Sequence, residues 1–447
     1  MDRRIEIIGG SAVYNDDVFS GNVMSAGLLY AESAALVFNN TNFSDNLPGG
    51  SAAIGGVVTV TASGKFDVLT GAVTNGNAVL KVSNSRVKSM ISAADSDISG
   101  DAVSTVSLQE TPSPCNIYGG GNNVGVGGSI TLAISGGGYS GIIYGGSRAY
   151  NTAVSTHDAN VEISGAVHID NQKLIAAGKG NSAWTVGGGA AVAGGSISTG
   201  NITISAHDSK LSRLVGGAQA QGSGSTAQVQ STELIISGAI TVSGDVYGGG
   251  YAYDGGVSEV SGDTLIRVSD ANILGNIYGG GAAPGRTGTS VVSGGSTISF
   301  SGDGDALTLG TVSGDGAAPG SVKGIKTLEF TSFSGEFSAN VKAFDRVVLK
   351  NDSTVRYSGG YRFSTVETAF GSFADGIRFA DGDKLLKIEL GTAQNGFDLM
   401  TADDGEAFDG LKVELFRDNV FLCSFNYGET VDGFSVKSAD GFLSLAM

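Results

Sequence analysis

Cysteine is almost absent, with Cys115 and Cys423 the only two among 447 residues. Two thiols cannot form a disulfide framework or a cysteine-based zinc site. Charge is scarce as well, at 15% of residues against a usual share of about 25%. Basic clusters are missing. The 26 Lys plus Arg against 43 Asp plus Glu give a net charge of −17, which repels nucleic acid and anionic membrane surfaces. No stretch approaches the 18 or so apolar residues of a membrane-spanning helix. The opening MDRRIEIIGGSAVYNDD has no apolar run long enough for a secretory signal, so the chain reads either as cytoplasmic or as a fragment. Segments of ten or more residues with helical periodicity are absent too, which argues against a βαβ sheet.

Glycine is abundant. The chain has 73 Gly, more than double the usual share of about 7%, and so loses much backbone entropy on folding. Since 41% of residues are hydrophobic, simple disorder is excluded and strands with turns are expected. Gly and Phe divide the chain into residues 1–110, 111–321 and 322–447. The middle region holds 47 of the glycines and the last holds 15 of the 20 Phe.

The middle region repeats itself as NIYGGG at 116–121, IIYGGS at 142–147, TVGGGA at 185–190, LVGGAQ at 214–219, VYGGGY at 246–251 and IYGGGA at 277–282. The first glycines of these motifs are 26, 42, 29, 32 and 31 residues apart, a loose period near 30 that signals a repeat architecture. Between them lie alternating segments such as SITLAIS, NITIS and ELIISGAITVSG. Their period of two marks strands with one buried face. Stacked β-coils, as in a parallel β-helix, account for this pattern. Coils stack about 4.8 Å apart, so a corner glycine serves close stacking and permits positive φ. In Ile117-Tyr118, Ile143-Tyr144, Val246-Tyr247 and Ile277-Tyr278 the two side chains should take opposite faces, aliphatic inward and Tyr in an outer ladder. In the N-terminal region FSGN at 19–22 and FSDN at 43–46 are 24 residues apart, the length of one coil, with the closing Asn stacked in a corner.

From about Val322 the apolar residues become larger, as in IKTLEF, FDRVVLK and LLKIEL. This section is expected to form wider coils ending in a cap, because an open end exposes core and unpaired strand edge. Residues 111–147 carry no charge, which suggests a membrane β-barrel, but most alternating segments are shorter than the 9–11 residues of a barrel strand. Cys115 and Cys423 lie about ten coils apart, roughly 50 Å at the inter-strand spacing, so they should stay unpaired.

FSGN, FSDN and GGSAAI resemble the FxxN and GGA-I repeats of polymorphic outer-membrane proteins. The IYGGG units resemble glycine-rich repeats in autotransporter passenger domains and related surface adhesins. The resemblance covers residues 1–320 as repeats and 322–447 as the end of a passenger. It implies a right-handed parallel β-helix, export to the bacterial cell surface, and attachment or display there, with a host glycan or matrix protein as partner. It also implies an outer-membrane translocator barrel, expected in the full-length protein beyond this fragment.

Few residues carry chemistry. His157-Asp158 and His207-Asp208 pair a base with a carboxylate, and His168 completes the histidines. They read as turn residues. Asp303 with Asp305, Asp381 with Asp383, and Asp403 with Asp404 all sit in turn-like sequence, where Asp caps its own backbone. Oxygen-rich turns suit calcium, but neither the nonapeptide repeat nor the EF-hand loop is present, so no cofactor is assigned. An exposed platform of Tyr118, Tyr144, Trp184, Tyr247, Tyr251, Tyr253 and Tyr278 would stack on sugar rings. A non-enzymatic adhesin or display stalk is therefore expected. The alternative is a polysaccharide-active β-helix enzyme, which would gather carboxylates in one groove.

Overall fold

The structure is a computed structural model that describes residues 10–15, 18–19, 25–28, 33–43, 47–51, 57–72, 76–94, 97–109, 115–165, 184–285, 287–351, 353–369, 372–375, 377–391, 396–401 and 408–447. Among the described residues the chain is all-β, and the one helical turn is the 3₁₀ turn Gly304–Ala306. Most strands belong to one large sheet whose pairing is mostly parallel. In the parallel part each strand pairs with its equivalent one repeat further along.

The glycine motifs set the first row. Ile117 stands opposite Ile143, then in succession come Thr185, Leu214, Val246, Ile277, Val312 and Val341. The alternating segments set the second. Ala102 stands opposite Ile130, followed by Ala159, Ile202, Thr232, Thr264, Ser296 and Lys326. Apart from the step that spans 166–183, the spacing stays close to the repeat read from the glycines. In the N-terminal region Phe19 stands opposite Phe43, which is the 24-residue offset of FSGN and FSDN. Asn22 and Asn46 lie outside the described residues. Parallel pairing also separates this chain from membrane barrels, whose strands run antiparallel.

Alternation explains why these strands bury one face. Leu132, Val161, Ile204, Leu234, Ile266, Ile298 and Leu328 form an inward column, all buried, while their neighbours in sequence point outward. Each such aliphatic side chain contributes about 1.5–3 kcal/mol on burial. One continuous apolar cluster runs from Ala78 to Leu445.

Glycine's role is narrower than expected. A Cβ on Gly119, Gly145, Gly187, Gly216 or Gly248 would run into the carbonyl oxygen of the next glycine in the column, yet none of these residues has positive φ. Close approach alone demands glycine there. The hydroxyls of Thr232 and Thr264 then hold the carbonyls of Gly248 and Gly279 from inside.

Wider coils after Val322 are not what the structure has. Leu328, Val347, Val366 and Leu386 stand opposite one another, so the repeat shortens to about 20 residues. Phe330, Phe333, Phe337, Phe363 and Phe373 are fully buried, and large rings fill the interior with fewer residues per repeat. The pairing turns antiparallel at the end, where Leu411–Arg417 meets Val420–Asn426 and Phe397–Thr401 meets Phe442–Ala446.

Candidate functional site

A second apolar layer lies outside the main core. The alternation that sends Ile117 inward sends Tyr118 outward, and the glycine corner then leads into short lateral strands. These are Ser147–Tyr150, Gly189–Val192, Gln219–Gln221 and Tyr251–Tyr253, paired in that order. Their outer residues pack on the tyrosines. Tyr118, Tyr144, Val186, Val215 and Tyr247 form one cluster with Ala190, Tyr251 and Ala282.

The expected platform is therefore mostly covered. Tyr118 is 3% exposed, Tyr144 6%, Tyr247 5% and Tyr251 8%, whereas Trp184, Tyr253 and Tyr278 are half-buried. The expectation of opposite faces holds; the exposed ladder is corrected, because the lateral strands cover the outer face. Tyr118 stacks on Tyr144 at 5.1 Å and Tyr247 on Tyr278 at 5.3 Å. Trp184 meets Tyr251 edge-on at 4.6 Å. The Arg213 guanidinium lies over Trp184 at 4.4 Å and over Tyr251 at 5.5 Å, a cation–π arrangement.

Hydrogen bonds tie the layer together. Tyr144 donates its hydroxyl proton to Gln219 Oε1 at 2.9 Å, and Gln219 Nε2 donates to the Tyr253 hydroxyl at 2.7 Å. Tyr247 donates to Asp245 Oδ2 at 2.9 Å. Burial pushes the Tyr118, Tyr144 and Tyr247 phenols above their usual range, and the Asp245 charge adds to the effect at Tyr247. All three remain neutral, and Tyr144 and Tyr247 act as donors. Arg213 and Gln219 escape a sequence search for aromatics, although Gln219 occupies in its repeat the place of Tyr251 in the next.

The acids serve the stacking. Asp97 Oδ1 accepts the Gly125 N–H at 2.6 Å, Asp101 Oδ1 that of Ser129 at 2.8 Å and Asp263 Oδ1 that of Gly295 at 2.7 Å. Each clamps the adjacent repeat. Asp303 instead caps the 3₁₀ turn by accepting from Asp305 N–H, and Asp381 and Asp383 are exposed. Asp403, Asp404 and His168 lie outside the described residues. His207 sits on the surface beside Asp208 at 3.4 Å and Glu162 at 3.9 Å. Among the described residues no group of three or more His, Cys, Asp or Glu is placed to hold a metal ion. Cys115 and Cys423 are both free and buried.

The other histidine pair belongs to a polar groove. His157 and Asp158 border a cavity of about 570 Å³ together with Ser155, Ser198, Gln228, Gln230 and Glu259. Asp158 Oδ1 accepts from the Asn201 backbone N–H at 2.7 Å and from its side-chain amide at 3.3 Å. Asp158 and Glu259 lie three repeats apart, roughly 14 Å at the inter-strand spacing. In comparisons with family models, curated proteins and solved structures, the chain matches none of them.

Proposed function

We propose that the parallel array closes into a right-handed parallel β-helix with a C-terminal cap, and that the protein is a non-enzymatic surface passenger of the autotransporter type. It serves in adhesion or as a display stalk, outside the cell or at the bacterial cell surface. The observation that carries this reading is where the repeated residues go. Glycines permit close stacking, interior Thr and Ser hold the corners, and Asp clamps one repeat to the next.

The partner of such a passenger is a host glycan or matrix protein. Trp184, Tyr253 and Tyr278 keep part of their rings open to a sugar face, while the four buried tyrosines stiffen the layer behind them. A polysaccharide-active enzyme is the reading from the other class, favoured by the polar groove with its His157, Asp158 and Glu259. Acid–base pairs that cleave glycosides sit about 5–9.5 Å apart, and the separation of Asp158 and Glu259 exceeds that span.

The test is binding of the purified chain to an array of host glycans and matrix proteins, with reducing-sugar release followed in the same wells. Binding without release is expected, weakened by Tyr253→Ala or Tyr278→Ala. Release of reducing ends overturns the non-enzymatic reading, and silence in both channels leaves only the stalk.

A further inference from the structure

We propose that the groove beside His157 is a binding site for a neutral oligosaccharide, separate from the aromatic layer. Register builds it. Ser155, Ser198, Gln228 and Glu259 stand opposite one another in four successive repeats, so their outward side chains form one row. The row beside it holds His157 and Gln230 on either side of Gly200, which offers no side chain. Ser155, Ser198 and Gly200 are small, and the longer His157, Gln228, Gln230 and Glu259 beside them leave a notch. Its 570 Å³ lies within the range of ligand sites, about 300–1,000 Å³. Three inter-strand spacings give a length of roughly 14 Å, room for a short chain of sugar rings along the stacking direction.

The chemistry of the walls selects the ligand. Hydroxyls, two amides, an imidazole and carboxylates supply donors and acceptors in alternation, which matches the mixed hydroxyls of a sugar. No Lys or Arg lines the groove, and Asp158 and Glu259 repel an acidic sugar or a phosphate. A peptide has no strand edge to join. The strand Ala153–Thr156 pairs on one side and bridges on the other, and the strands of the next three repeats are paired on both sides. Behind the row, the buried Thr156 and Thr199 hydroxyls bond each other, and that of Thr199 bonds the Gly188 carbonyl. Two walls are fixed in place. Asn201 holds Asp158, and Ser293 donates to Glu259 Oε1 at 3.1 Å.

The experiment is saturation-transfer NMR and calorimetry on the full chain, with maltotriose, cellotriose and N-acetylchitotriose as neutral probes and trigalacturonate as the acidic one. Ser198 is exposed, so Ser198→Tyr fills the notch without touching the core. The expected result is binding of at least one neutral probe, none of trigalacturonate, and a loss of tenfold or more in Ser198→Tyr. The double variant Gln228→Ala, Gln230→Ala should lose affinity as well, which keeps the test independent of how the tyrosine folds. The proposal is overturned when no neutral probe binds, when trigalacturonate binds better, or when both groove variants bind like the parent. Binding lost in Tyr253→Ala alone would place the sugar on the aromatic layer, sinking the groove while leaving the adhesin reading intact.

Discussion

Replacing Gly279 by alanine tests whether close approach, rather than backbone conformation, demands the glycine column. A Cβ there would lie 2.6 Å from the Gly314 carbonyl oxygen, 2.6 Å from Ser296 Oγ and 2.7 Å from Ser296 Cβ. The first is backbone of the adjacent repeat, held by the Ser296 hydroxyl, and cannot swing away. Overpacking of this kind costs about 1–3 kcal/mol, offset by about 0.4–1 kcal/mol because alanine has a smaller unfolded-state entropy. The net loss is about 1.5 kcal/mol. Gly360 supplies the contrast: nothing lies within 4 Å of its Cβ position, so Gly360→Ala should gain about 0.4–1 kcal/mol. With a urea slope of about 3 kcal/mol per molar, the midpoint falls by about 0.5 M in the first variant and rises slightly in the second. Urea unfolding followed by far-UV circular dichroism and by Trp184 fluorescence reads both. A Gly279→Ala midpoint at or above that of the parent refutes the reasoning.

Alkali should destabilise the fold. Burial pushes the Cys115 thiol from 9.0 up to about 12 and raises the Tyr118, Tyr144 and Tyr247 phenols above 10. The folded chain therefore keeps protons that the unfolded chain releases, so this stability is present below pH 9 and is lost as pH rises through the raised values. A urea midpoint that stays flat from pH 8 to 11 would contradict it. Deleting residues 226–256 joins Ser225 to Val257, which stands opposite Thr226, and the remaining repeats can re-pair in register. The shortened chain should fold with a proportionally smaller urea slope, whereas deletion of 226–241 should not fold; equal behaviour of the two would count against independently stacked repeats.

Much of the architecture is written in local sequence. The step from Gly119 to Gly145 equals the step from Ile117 to Ile143 in the paired strands, because a motif that serves one corner must recur once per repeat. Alternation also separated Ile117 from Tyr118 without help from the structure. The covering of Tyr118 was not legible. The lateral strands that cover it read SRAY, GAAV and QAQ, too short and too mixed for a period of two to register. The short C-terminal repeat is present in the spacing of Leu328, Val347 and Val366, but larger side chains suggest a wider section unless that spacing is counted. The acids mislead for another reason. Asp101 and Asp263 bond backbone one repeat away rather than their own, and only the register shows which backbone that is.

The register also explains why the acids come at irregular intervals. The residues just before Ala78, Ala102, Ile130, Ala159, Ile202, Thr232, Thr264 and Ser296 occupy one corner column, since those eight positions stand opposite one another. The column reads Asn77, Asp101, Ser129, Asp158, Asn201, Ser231, Asp263 and Gly295. A clamp needs only an acceptor oxygen, and Asn77 Oδ1 takes the Asp101 N–H at 2.8 Å as well as Asp101 takes that of Ser129. Two carboxylates in adjacent repeats, about 5 Å apart, would repel by about 1–3 kcal/mol, depending on exposure. In this column no two Asp are neighbours: each is separated from the next by Ser, or by Asn and Ser. A strict repeat of Asp would accumulate that repulsion at every step in a chain already at −17. Irregular spacing of the acids in this column is thus what a regular stack requires, and their scatter needs no catalytic explanation.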